Sequence, residues 1–175
     1  GMPGGRFLVA VEHDPEGTCQ PQGLDDIEFR VTANPGQPPA PVARVASGGE
    51  LSRISLAIQV ATKTARPIPV MVFDEVDSGV GGGVAEIVGR RLAELGAHAQ
   101  VLCVTHLPQV ASQARHHLRV AKLTDGETTR TTLKVLTEAE KVEELARMLG
   151  GVEITGTTRA HAREMRKRAA PGGGD

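Results

Sequence analysis

The sequence predicts an α/β fold: a parallel βαβ core with flanking antiparallel strands and C-terminal helices. Three observations predict it. Aliphatic runs at Val70–Phe73 and Gln100–Val104 each end in polar residues, and an amphipathic stretch lies between them. Strand, helix, strand in that order implies a right-handed parallel unit. Ahead of it, Arg6–His13 and Asp26–Ala33 carry strand-like runs; behind it, helical stripes recur at 137–149 and 158–168.

The length of 175 residues suits one domain, 1–175, with a sizeable core. That core must be aliphatic, because there are three Phe and no Trp or Tyr. The same scarcity removes the aromatic platforms on which single-stranded bases stack. A net charge of −1 supplies no overall basic field for nucleic acid and leaves room only for a local patch. Cys19 and Cys103 lie far apart without CxxC spacing, so neither a disulfide framework nor a zinc site is expected, and a reducing cytoplasm is the natural home. No apolar run is long enough to span a membrane and no secretory signal is visible, so no membrane partner is expected.

In order along the chain, Ile27, Phe29 and Val31 alternate with Glu28, Arg30 and Thr32, as in a half-buried antiparallel strand. Asn34–Pro41 holds four prolines and reads as a stiff connector without regular structure. Ser47 then caps a helix, with Glu50 three residues on completing a capping box. Its expected buried stripe is Leu51, Ile54, Ser55, Ile58, Ala61, Thr62 and Ala65. Val70–Phe73 reads as a strand buried on both faces. Val84, Ile87, Val88, Leu92 and Leu95 form the stripe of the next helix, which stops at Gly96. Pro108 opens a short helix through Ala114. Leu118–Leu123 and Thr129–Leu136 form a hairpin around Asp125-Gly126. Thr137 and Glu140 form a capping box for a helix with the stripe Val142, Leu145, Ala146 and Leu149. The last helix carries Arg159, Arg163 and Arg166 on one face, read as a solvated or partner-facing surface. Pro171–Asp175 is expected to be a disordered tail. His116-His117 is rejected as a metal pair, since adjacent strand residues point to opposite faces.

The chemistry concentrates at strand ends. In open α/β sheets ligands bind at the C-terminal edge. There Asp74 can hold Mg²⁺, usually through water, and Glu75 can polarise an attacking water. Gly48 and Gly49 are poor helix formers in a first turn, at about 1 kcal/mol each against Ala. Their use is close backbone approach to a ligand, and free N–H groups at a helix N-terminus suit phosphate. His106 ends the neighbouring strand, so it and Glu75 are expected to face one ligand.

These pieces stand in a telling order: Ala46-Ser47-Gly48-Gly49-Glu50-Leu51, Val72-Phe73-Asp74-Glu75-Val76-Asp77, then Val104-Thr105-His106. They resemble the signature, the Walker B strand and the switch histidine of an ABC-type ATPase head, a P-loop NTPase, with Ser78-Gly79 in the place of the D-loop. The flanks narrow the resemblance. Asn34-Pro35-Gly36, Ser52-Arg53 after the signature, Val80-Gly81-Gly82, Leu107-Pro108-Gln109-Val110-Ala111 and Ala146-Arg147-Met148-Leu149-Gly150-Gly151 are similar to the RecN family of bacterial DNA repair proteins, which are SMC-like.

The resemblance implies a C-terminal head lobe with ATP and Mg²⁺ as cofactors. Asp74 would hold Mg²⁺, Glu75 would be the general base or water-orienting residue, and His106 would contact the γ-phosphate. Ser47, Gly48, Gly49 and Glu50 would meet ATP held by a second head, and Asp77, Ser78 and Gly79 would cross that dimer interface. No G-x-x-x-x-G-K-[ST] occurs in these residues, and no Q-loop. The implied partners are therefore an N-terminal lobe carrying Walker A, a second head, and DNA through the full-length protein; the implied place is the cytoplasm, at the nucleoid. The chain alone is expected to be inactive. Two alternatives are a non-enzymatic SMC-like dimerisation module and another ABC-type subunit. The Asp74-Glu75 pair speaks against the first, and the RecN-like flanks against a transporter subunit.

Overall fold

A computed structural model describes residues 5–18, 21, 23–32, 36, 38–45, 48–62, 68–124, 129–150 and 153–169. Ser47, the Asn34-Pro35 part of the connector, the Asp125-Gly126 turn and the 171–175 tail lie outside the described residues.

Strands β1 (Arg6–His13) and β2 (Asp25–Thr32) pair antiparallel, with Phe7 opposite Val31, Val9 opposite Phe29 and Val11 opposite Ile27. The connector corrects one expectation: Ala40–Pro41 joins β2 as a two-residue strand β3, with Ala40 opposite Val31. Pro41 is tolerated because it sits on a sheet edge. Helix α1 (Val42–Val45) follows. The alternation read for β2 holds, but its burial does not. Phe7, Val9, Val11, Ile27 and Phe29 share one face and are each more than half exposed. The Phe7 and Phe29 rings, with centroids 5.5 Å apart, shield mainly each other.

Next come helix α2 (Gly48–Thr62), strand β4 (Val70–Phe73), helix α3 (Gly82–Gly96) and strand β5 (Gln100–Cys103). β4 and β5 are parallel, Val70 opposite Gln100 through Phe73 opposite Cys103. The ladder runs on at both ends, Gln100 N donating to Pro69 O at 2.9 Å and Val104 N to Phe73 O at 2.9 Å. The expected βαβ unit is therefore present, but β4 is covered on one face only. Met71 and Phe73 turn into the core while Val70 and Val72 are exposed, as are Leu102 and Val104 beside them. Among the described residues this sheet has two strands, and α2 and α3 pack on one side of it.

The stripe expected for α2 is also displaced. Leu51 and Ile58 are exposed; Leu56 and Val60 enter the core and Gly49 is buried. A helix presents Gly49, Ser52, Arg53, Leu56 and Val60 on one side, so the inward face mixes glycine and polar residues that an apolar count passes over. In α3 the stripe holds except for Ile87, which is exposed. Leu56, Phe73, Val76, Ala85, Val88, Leu92, Leu95 and Val110 make the first core cluster.

Helix α4 (Pro108–Ala111) bridges to a second cluster, Ala111 with Leu145, Ala146 and Ala162. Strands β6 (Leu118–Thr124) and β7 (Thr129–Val135) pair antiparallel, then helices α5 (Glu138–Gly150) and α6 (Gly156–Ala169) close the chain. The α5 capping box forms: Thr137 N donates to Glu140 Oε2 at 2.9 Å and Glu140 N to Thr137 Oγ1 at 3.4 Å. Two of the three arginines read as a solvated or partner-facing surface of α6 are engaged within the chain. Arg159 pairs with Glu143 at 3.0 Å, and Arg166 pairs with Glu138 at 3.2 Å and donates to Ser112 O at 3.0 Å. Those guanidiniums pin α6 to α5 and α4, and Arg163 alone of the three stays exposed.

Candidate active site

β4 ends at Phe73 and delivers Asp74 and Glu75, both exposed, at its C-terminal end. The chain then turns sharply. Glu75 N donates to Asp74 Oδ1 at 2.9 Å, and Ser78 N closes the turn on Glu75 O at 2.9 Å. Glu75 adopts φ 55°, a left-handed conformation that costs a non-glycine residue about 1–2 kcal/mol. Such strain persists only where neighbours hold it.

The neighbours come from the second turn of α2. Ser52 Oγ donates to Asp74 O at 2.7 Å, and Arg53 Nη1 donates to Ser78 O at 2.7 Å and to Val76 O at 3.4 Å. The start of α2 lies directly on the turn. A Cβ at Gly49 would stand 2.8 Å from Ser78 Cβ and 2.9 Å from Glu75 O; one at Gly48 would stand 2.8 Å from Glu75 Oε2. The Glu75 carboxylate thus reaches the first residue of α2, where helix N–H groups and dipole favour an anion.

The end of β5 arrives from the other side. Thr105 Oγ1 and His106 N, the latter at 3.2 Å, both donate to Asp77 Oδ2, and His106 Nδ1 lies 3.5 Å from the same oxygen. Asp77 is only 2% exposed, whereas the His106 side chain is 73% exposed. Burial, then the charges of Asp77 and Asp74, push the nearby Cys103 thiol up to about 12, so it stays protonated and inert.

Three separated motifs therefore meet at one strand edge: Gly48 and Gly49, Asp74 through Gly79, and His106. Glu75 and His106 stand at the C-terminal ends of the two paired parallel strands, and His106 is joined to the turn through Asp77. Two placements differ from expectation. Asp77 does not point outward toward a partner; its side chain is buried against Thr105 and His106, which leaves exposed Ser78 and Gly79 to face outward. Glu50 is half-buried in the first turn of α2. Sequence reasoning missed Ser52, Arg53 and Thr105 as holders of the turn. The available signal was position: Ser52 and Arg53 stand three and four residues after Gly49, on its face of the helix.

A family profile described as RecF/RecN/SMC N terminal domain matches residues 42–129, the stretch that holds this site. The chain belongs to the RecF/RecN/SMC family. Within the RecF/RecN/SMC family, relatives named DNA repair protein RecN are similar over nearly all of it. The one from Xylella fastidiosa strain 9a5c is 49% identical over 162 residues, covering 93% of this chain and 29% of the relative. That from Vibrio cholerae is 49% identical over 160 residues, covering 91% and 29%; that from Bacillus subtilis is 46% identical over 149 residues, covering 85% and 26%. The chain thus spans under a third of the length of these relatives.

The fold is that of SMC head domains. The head of Smc from Pyrococcus yayanosii, solved with a coiled coil and joint, superposes with a TM-score of 0.60 at 20% identity, covering 82% of this chain and 26% of that one. A structure described under ATP-driven dimerization and DNA stimulated activation of SMC ATPases gives 0.53 at 22% identity, covering 83% of each chain.

The residues fit a nucleotide with Mg²⁺. Mg²⁺ takes one or two carboxylates and completes its shell with water and phosphate oxygens. Among the described residues no group of three or more His, Cys, Asp or Glu forms a metal cage. Asp74, exposed beside Glu75 at the strand end, would be a carboxylate of the kind that Mg²⁺ shared with phosphates uses. Among the described residues no helix is long and apolar enough to cross a membrane.

Proposed function

We propose that this chain is the C-terminal lobe of the ATPase head of a RecN-like DNA double-strand break repair protein, with ATP held between two such heads. The observation that carries the reading is the meeting of the α2 N-terminus, the Asp74–Gly79 turn and His106 at one edge of the parallel strands. In this reading an N-terminal lobe of the same protein supplies the phosphate loop, and the second head is another copy. DNA is engaged by the full-length protein, in the cytoplasm at the nucleoid; Arg159 and Arg166, spent on α5, are not the contact.

Asp74 would hold Mg²⁺, which neutralises developing charge on the phosphates when bound. Glu75 accepts the proton of the attacking water or orients it. The strained turn fixes where its carboxylate starts, and Gly48 leaves it room. His106 contacts the γ-phosphate side of the site. Ser47, Gly48, Gly49 and Glu50 present the start of α2 to the partner head's ATP, and Ser78 and Gly79 cross the interface.

The test uses the full-length protein. Glu75→Gln keeps the shape and loses the base, which typically costs roughly 10²–10⁴-fold in rate. ATP-dependent dimers should accumulate, seen by light scattering after size exclusion, while phosphate release slows. Ser47→Arg should bind ATP without dimerising. A Glu75→Gln protein that hydrolyses ATP at the wild-type rate refutes the assignment of Glu75. The 175-residue chain alone should show no ATP hydrolysis.

A further inference from the structure

The peptide that joins Ser78 to Gly79 is held from α2. Its carbonyl, Ser78 O, accepts from Arg53 Nη1 at 2.7 Å, and the same nitrogen reaches Val76 O at 3.4 Å. Both acceptors are backbone carbonyls, so the guanidinium fixes the course of the chain. Between them the Asp77 carboxylate is buried and accepts from Thr105 Oγ1 and His106 N. The turn is thus gripped by α2 on one side and by the end of β5 on the other. Beyond the grip the chain runs into open space: Gly79 has φ 69°, and a Cβ at Gly79, Gly81 or Gly83 would meet nothing within 4 Å. Room for the guanidinium comes from Gly49, where a Cβ would stand 3.1 Å from Arg53 Nη1.

We propose that Arg53 is a positioning residue that locks the start of α2 and the Ser78–Gly79 peptide into one unit, so that both segments reach a second head together. This rests on the function proposed above, in which the start of α2 and Ser78–Gly79 are the parts of this chain that meet the other head. Without the guanidinium each segment must be ordered separately as two heads close, and such ordering opposes association. Arg53 bonds to the backbone of the turn alone. ATP capture by a single head, which in this reading rests on the phosphate loop and Asp74, is therefore independent of it.

The test compares Arg53→Ala, Arg53→Lys and Thr137→Ala in the full-length protein. Thr137 caps α5, away from the turn, and controls for lost stability alone. Hydrogen exchange is measured first, without ATP. Ser78 N is bonded to Glu75 O, so its protection reports the turn. Arg53→Ala should speed exchange across 76–81 by about 10-fold, as the loss of one charge-assisted bond implies, and Thr137→Ala should leave it unchanged. Unaltered exchange in Arg53→Ala overturns the anchor whatever ATP does. Each change is then placed on Glu75→Gln, and dimers are titrated at saturating ATP by light scattering. Arg53→Ala should weaken dimerisation by about 10- to 100-fold, because a symmetric dimer contains the anchor twice, with the ATP affinity of the single head unchanged. Arg53→Lys should recover part of the loss. Equal weakening in Arg53→Ala and Thr137→Ala would reveal a stability effect and overturn the positioning role. A Glu75→Gln parent that forms no ATP-dependent dimer would sink the reading of ATP between two heads, while the exchange result still decides the anchor.

Discussion

Gly48 and Gly49 offer a paired experiment in which one term cancels. Both occupy the first turn of α2, so replacing either with Ala gains a similar helix propensity of at most about 1 kcal/mol. The new methyl groups meet different things. At Gly48 the atom in the way is Glu75 Oε2, 2.8 Å off and at the free end of a flexible side chain. Glu75 can swing aside at little cost. At Gly49 the obstacles are Ser78 Cβ at 2.8 Å and the backbone oxygen Glu75 O at 2.9 Å, with Arg53 Nη1 at 3.1 Å. Neither of the first two can move without moving the turn. Forcing an extra methyl into such a contact costs about 1–3 kcal/mol. Gly49→Ala should therefore be less stable than Gly48→Ala by that amount. In a domain of this size each kcal/mol is about 2–4 °C in Tm. Thermal unfolding followed by circular dichroism gives the order directly. If Gly49→Ala melts at or above Gly48→Ala, α2 does not rest on the turn as described.

Arg53→Ala should lower stability by about 1 kcal/mol through loss of its bond to Ser78 O, with Arg53→Lys restoring part of it; equal urea midpoints for Arg53→Ala and wild type would refute the anchor. Thr137→Ala removes the α5 cap and should cost about 1 kcal/mol, checked by the same urea titration. Lys141, then Arg166, hold the Glu138 carboxylate down to about 2, below its ordinary 4.5. A depressed folded value means that stability is present above about 4.5 and is lost as pH falls toward 2, because the unfolded state binds more protons in that window. Glu138→Gln should flatten the urea midpoint against pH between those limits, and an unchanged slope would show that this carboxylate does not link α5 to α6.

Element positions were legible because their signals are local. The Val70–Phe73 and Gln100–Cys103 runs, the Thr137–Glu140 box and Gly96 as a stop carry their own physical reasons, and each appears where those reasons put it. Burial was less legible, since periodicity reports what a face could bury and is silent on what covers it. Val72 and Leu102 satisfy a strand's pattern and remain exposed. In α2 the pattern pointed to Leu51 and Ile58, yet the packed face is set by Gly49, Ser52 and Arg53, whose contacts are polar and long in sequence. The same limit governed α6, where three arginines read as a surface and two proved to be clasps on α5 and α4.

The site motifs show how one residue can satisfy two demands. A glycine pair at a helix start reads as room for a phosphate, and Gly49 is also required by the chain's own turn, where an added Cβ would stand 2.9 Å from Glu75 O. Asp77 reads as part of an outward loop, and its side chain instead closes inward on Thr105 and His106. In the proposed reading, chemistry at this edge is built on intrachain contacts that fix the backbone of the turn and the Asp77 side chain before any ligand arrives. Preorganisation of that kind is what electrostatic catalysis needs, because groups already held in place cost no reorganisation when charge develops. Ser52, Arg53 and Thr105 share in that fixing: the first two hold the Asp74–Ser78 turn and the third holds the Asp77 carboxylate.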